Sequence, residues 1–227
     1  MGYELDFSAL AGYLGLFLHG IGVTLGLTAI AASLGIAISI GGAATARWGL
    51  GWARALVIAY VELIRNTPFL VQLYFIFFGL PALGIKMTAL TAAILAMTIN
   101  LTAYAIEVVR AGIEAVPPGQ REAGIALGLK PVKVFIYVVL PQALANVYPA
   151  LVSQIVIIML ESAVVSQVAV MDLTHVGDYI QSRTYRAFET YFIIAIAYLA
   201  LAIGLRRLLN RAGSRLFAGR QGQSAQW

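Results

Sequence analysis

Between Leu14 and Ala46 the chain carries no Asp, Glu, Lys or Arg. A helix needs about 20 apolar residues to cross the hydrocarbon core of a bilayer, so this stretch spans it with length to spare. The excess implies a tilted span, or one that begins as an interfacial helix. The rest of the chain agrees. Hydrophobic residues make up 61% of the 227 and charged residues 11%, against roughly 25% charged in a soluble domain. So little charge cannot coat a water-facing surface, and lipid is the expected main solvent.

An all-α membrane protein of about five transmembrane helices is expected. The spans fall near 14–46, 53–80, 88–109, 145–170 and 191–209, within one domain over 1–218, followed by a flexible tail at 219–227. Gly22 and Gly26 form a GxxxG pair that permits close helix approach, a spacing that also arises easily in a Gly-rich segment. The first ten residues show neither a positive n-region nor a cleavage site, so no signal peptide is read there. Positive charge sets the orientation. With the N-terminus outside and five crossings, eleven of the 15 Lys and Arg are cytoplasmic, three are outside, and Arg65 is left in the membrane. The positive-inside rule then puts the C-terminus in the cytoplasm. Topology accounts for the net charge of +5 better than nucleic acid does.

Several chemistries are excluded. There are no cysteines, hence no disulfide, thiol nucleophile or Cys-ligated metal. The two histidines, His19 and His175, lie far apart and do not suggest a metal site; His19 reads as a packing residue. No Gly-Lys dipeptide occurs, so there is no P-loop, and the energy for any pumping comes from a partner.

The connection 110–144 is too polar to span. Pro117 and Pro118 end the preceding helix, and Gly119–Leu127 reads as a short helix stopped at Gly128 by a left-handed cap. Pro131 suits the start of a second short helix, and Pro141 breaks or kinks the chain before the fourth span. Glu122-Ala123-Gly124, Gly128 and Val138-Val139-Leu140-Pro141 together resemble the EAA loop of ABC importer permeases. The spacing matches throughout, with Gly124 in place of the third-position Ala and Val138 in place of Ile. Arg65-Asn66-Thr67-Pro68-Phe69-Leu70-Val71-Gln72-Leu73, leading to Pro81, resembles the second-span signature of the polar amino-acid branch, which usually has Gly where Asn66 stands. Asn100 to Tyr104, with Glu107 and Arg110, adds to the likeness, which covers about residues 15–210.

The resemblance implies a type I (MetI-like) permease fold in the bacterial inner membrane. It implies an importer subunit that translocates polar, including basic, amino acids by alternating access and is not itself an enzyme. It implies ATP and Mg held by a partner ABC ATPase dimer, a second permease subunit (same or homologous), and a solute-binding protein. Gly119, Glu122, Ala123, Gly124, Gly128, Leu140 and Pro141 would couple to the ATPase. Glu122 would pair with a basic group on the ATPase, or would only favour the positive N-terminal end of its helix.

Charges inside spans are costly and usually face a cavity or a partner. Glu161 lies mid-way in the fourth span, seven residues after Gln154 on the same face. It is expected either to contact a cationic substrate or to form a packing ion pair. Asn100, Thr102 and Tyr104 are expected to line the path or to hydrogen-bond between helices. Glu62, Arg65, Asn66 and Pro68 interrupt the second span, and Pro68 suggests a kink or a change of helix there. Glu62 and Arg65, three apart, are expected to pair, and with Pro68 to act in structure and gating. The connection 171–190 reads as an outside loop. Other readings kept open are an importer of an opine or ectoine-like zwitterion, an ion-coupled secondary transporter or channel, and, more distantly, a membrane-embedded enzyme.

Overall fold

The computed structural model describes residues 5–217, so the tail at 219–227 lies outside the described residues. It is helical throughout. A 3-10 turn at Ser8–Tyr13 leads into α1 (Leu14–Trp48). Then come α2 (Gly51–Arg65) and α3 (Phe69–Ala82), α4 (Ala89–Glu114), α5 (Pro118–Ala126), α6 (Pro131–Val168), α7 (Leu173–Thr184) and α8 (Ala187–Leu216). Four helices, α1, α4, α6 and α8, are each long and apolar enough to cross a membrane.

The second span is interrupted at Pro68, as expected. It is α2 and α3, bent 109° from each other, and the count reaches five only if this pair is one span. The cause is local. Pro68 has no N–H to continue the ladder of α2, and it starts α3 in extended backbone at ψ 139°.

The fourth span departs in the other direction. α6 runs unbroken from Pro131 through Pro141 and Pro149, so there is no separate second short helix and no break at Pro141. Phe135–Val139 widens into a π turn just before Pro141, and Phe75–Gly79 does the same before Pro81. Both read Phe-Ile, three residues, then Leu-Pro. A wider turn moves the backbone away from the proline ring, which would otherwise strike the carbonyl of the preceding turn.

α4 is the central helix. It packs against α1, α2, α3 and α6, and 61% of its most apolar stretch is buried, against 6% for α8. Ala92, Ala93, Ala96, Ala103 and Ala105 are wholly buried on it and let its neighbours approach closely. At Gly112 a Cβ would lie 2.7 Å from the carbonyl oxygen of Ala143, so only Gly fits where α4 crosses α6. A Cβ at Gly22 or Gly26 would meet nothing within 4 Å among the described residues. His19 is exposed, not packed.

The connection 171–190 contains α7, whose Leu173, Val176 and Ile180 are fully buried with Phe17 and Ile194. Asp172 caps α7, accepting the His175 N–H at 2.9 Å and the Tyr198 hydroxyl at 3.1 Å. Burial pushes its carboxyl above the usual range, and those hydrogen bonds oppose the shift.

Candidate functional site

A cavity of about 680 Å³ opens between the end of α1, α2 and α4. Its wall carries Arg47, Arg54, Arg65 and Arg110 with Glu62, Glu107 and Glu114, and Asn66 and Tyr104 complete its polar lining. This density of charge in so apolar a chain marks a surface that faces water, since lipid would not tolerate it. Arg65 does not pair with Glu62. It reaches across to α4, 3.6 Å from Glu107, with its guanidinium 5.4 Å over the ring of Tyr104. Glu62 lines the same cavity with an exposed side chain. Arg110 forks onto both Glu107 oxygens and reaches Glu114 at 2.9 Å.

The predicted path residues divide. Tyr104 lines the cavity, whereas Asn100 and Thr102 are 5% and 3% exposed and face packed helices. Asn100 donates to the Gln72 side-chain oxygen at 3.0 Å, and Thr102 donates to the Thr98 carbonyl of its own helix at 2.7 Å. Gln154 and Glu161 do not line the cavity. Both are half-buried on a side of α6 that also exposes Asn146 and Gln167. Glu161 ends the α-helical part of α6, and a 3-10 stretch, Ser162–Val168, follows it.

The polar element forms at the far end of α4. α5 starts at Pro118 and ends at Gly128, whose φ of +78° suits a residue without a Cβ. The Gly128 N–H bonds to the Ile125 carbonyl and the Leu129 N–H to the Gly124 carbonyl, the paired closure of a glycine cap. Gly124 is buried, and a Cβ there would stand 3.1 Å from a Val134 methyl, a tight fit. Gly119, Glu122 and Ala123 are exposed, and so are Ile125 and Leu127, at 46% and 81%. Leu140 and Pro141 are half-buried beyond the π turn.

The family described as binding-protein-dependent transport system inner membrane component matches residues 33–217. The chain belongs to this family of inner-membrane permeases. The glutamine transport system permease protein GlnP of Escherichia coli K12 is 32% identical over 94% of this chain and 98% of its own length. The arginine transport system permease protein ArtQ of Bacillus subtilis is 33% identical over 88% of this chain and 92% of its own. The fold matches the crystal structure of an amino acid ABC transporter with histidines at a TM-score of 0.84, with 39% identity over 94% of this chain and all of that one. The MetNI methionine ABC transporter, at 24% identity and a TM-score of 0.72, shares the fold over 92% of this chain and 97% of that one. The type I importer fold expected from the resemblance is therefore the fold of this permease.

Sequence reasoning missed two partners in the permease. Glu107, not Glu62, is the counter-ion of Arg65. Gln72 is central to the break in the second span. The i, i+4, i+7 spacing of Asn100, Tyr104 and Glu107 puts them on one stripe of α4, but does not say which residues they meet.

Proposed function

We propose that this permease translocates polar amino acids, with basic ones among its substrates, in an ATP-driven importer. One observation carries the reading: 32–33% identity, over nearly the whole chain, to permeases named for glutamine and arginine transport. A charged cavity between the end of α1, α2 and α4 agrees with it. The motor is a separate ABC ATPase dimer that holds ATP and Mg, and a solute-binding protein delivers the amino acid from outside. The chain makes and breaks no bond.

The N-terminus lies outside and the C-terminus in the cytoplasm, as the charge bias suggests. α5 is the coupling helix. Gly119, Glu122, Ala123 and Gly124 form its docking surface, and exposed Ile125 and Leu127 supply apolar anchors. Gly128, Leu140 and Pro141 pass its movement to α6. The polar side of α6 with Asn146, Gln154 and Glu161 is ill suited to lipid. A second permease subunit, identical or homologous, covers it and closes the path. Glu161 meets the cationic side chain of the substrate there, and Tyr104 lines the path within this chain. Glu62, Arg65 and Pro68 shape and gate its wall.

The test is reconstitution with the ATPase and binding protein of neighbouring genes, followed by uptake of arginine, histidine, glutamine and glutamate. ATP-dependent uptake of the basic amino acids that is lost in Glu161→Gln is the expected result. ATP-independent transport would sink the importer reading. Uptake indifferent to Glu161→Gln would assign that carboxylate to packing.

A further inference from the structure

The break between α2 and α3 leaves carbonyls short of helical partners, and a buried carbonyl left unpaired is costly. Two side chains meet that need. The Thr67 hydroxyl donates to the Leu63 carbonyl at 2.9 Å, while the Asn66 amide only adds a second bond, at 2.7 Å, to a Glu62 carbonyl that already accepts the Asn66 N–H. The Gln72 amide does most. Its nitrogen donates to the Ile64 carbonyl at 2.7 Å, to the Thr67 carbonyl at 3.0 Å and to the Thr67 hydroxyl at 2.9 Å.

Those acceptors fix which way the amide faces. Two carbonyls demand the nitrogen, so the oxygen of Gln72 turns to α4 and takes a hydrogen bond from Asn100 at 3.0 Å. Gln72 is 7% exposed and Asn100 5%, so water does not substitute for either. The other arm is pinned at the adjoining residue. Tyr60 of α2 donates its hydroxyl to the Ile99 carbonyl at 2.6 Å. Further along the same stripe of α4, Tyr104 and Glu107 hold Arg65.

We infer that Gln72 and Asn100 form the joint that sets the angle between α2 and α3 and so positions Arg65 and Asn66 in the cavity wall. They are positioning residues, because neither lines the cavity. Pro68 removes a donor and Gln72, four residues later, supplies one from the start of the next helix. The inference takes the cavity to be the transport path, and that premise comes from the proposed function; the joint itself is independent of it.

The absence of cysteine allows a direct test. Spin labels at introduced cysteines, Leu56→Cys on α2 and Phe75→Cys on α3, report the bend as a distance. Labelled chains are diluted with unlabelled ones, so that only pairs within one chain are read. Full complexes carry Gln72→Leu or Asn100→Leu, and arginine and glutamine uptake is measured alongside. A single narrow distance is expected in the parent. Gln72→Leu is expected to broaden or shift it, and to raise the KM of uptake about tenfold with a smaller change in maximal rate, the equivalent of about 1.4 kcal/mol. Asn100→Leu, which removes one hydrogen bond, is expected to do the same more weakly. If Gln72→Leu does not assemble, Asn100→Leu decides the matter alone. An unchanged distance distribution would overturn the joint whatever uptake does. A broadened distribution with unchanged KM would keep the joint but remove its role in transport. No uptake by the parent complex would count against the proposed function only.

Discussion

Arg65 shows how much depends on one side chain's reach. Its guanidinium lies against Tyr104 and Glu107 rather than beside Glu62 one turn back. Side chains of Arg65 and Glu107 are 43% and 33% exposed, so the pair is worth at most about 1 kcal/mol. A double-mutant cycle on thermal stability should give a coupling of about 0.5–1 kcal/mol for Arg65 with Glu107. For Arg65 with Glu62 it should give none. Equal couplings would contradict the geometry. Tyr104→Phe keeps the ring under the guanidinium and should leave stability within about 0.5 kcal/mol, whereas Tyr104→Ala should lose about 1 kcal/mol or more.

Elements meet where backbone leaves no room. Gly112 faces the Ala143 carbonyl, an atom that cannot swing away as a side chain does. Gly112→Ala should therefore force α4 and α6 apart and cost about 1–3 kcal/mol, read as a lower melting temperature in detergent. A melting temperature equal to the parent's would mean that the crossing is looser than the structure shows. Leu127 makes the opposite case. At 81% exposure it holds nothing together within the chain. Leu127→Asp should leave the melting temperature unchanged and reduce co-purification of the ATPase. Retained co-purification would shift the docking surface away from the end of α5.

For the whole molecule, orientation is the property that charge bias predicts and helix packing leaves open. Lys86 lies in the short connection between α3 and α4, and Lys130 in the one between α5 and α6. In a chain without native cysteine, Lys86→Cys should react with a membrane-impermeant thiol reagent applied from outside, and Lys130→Cys should react only after permeabilisation. The reverse pattern would invert the topology. α4 forms the axis around which the other long helices are arranged, and α8 lies at the margin with most of its apolar surface uncovered. Such a margin faces lipid or a second subunit.

The all-helical class, the apolar segments and the polar element after α4 could all be read from the chain, because membrane solvation acts on composition over about 20 residues at a time. The cap at Gly128 was equally legible, since a left-handed turn singles out glycine locally. So was the interruption at Pro68, which breaks the second span. The fate of Pro141 was not: it sits inside α6, as Pro149 does, because the outcome depends on whether a widened turn can absorb the lost hydrogen bond. Pairing was also beyond the sequence. Glu62 is nearer to Arg65 along the chain than Glu107 is, yet α4 passes close enough to bring Glu107 within reach. Gln72 and Asn100 are 28 residues apart and meet only because α3 folds back against α4. The sequence by itself determined which segments leave water and where the chain must turn. Only the tertiary structure decided which polar groups satisfy one another, because that depends on distances between helices that no local pattern encodes.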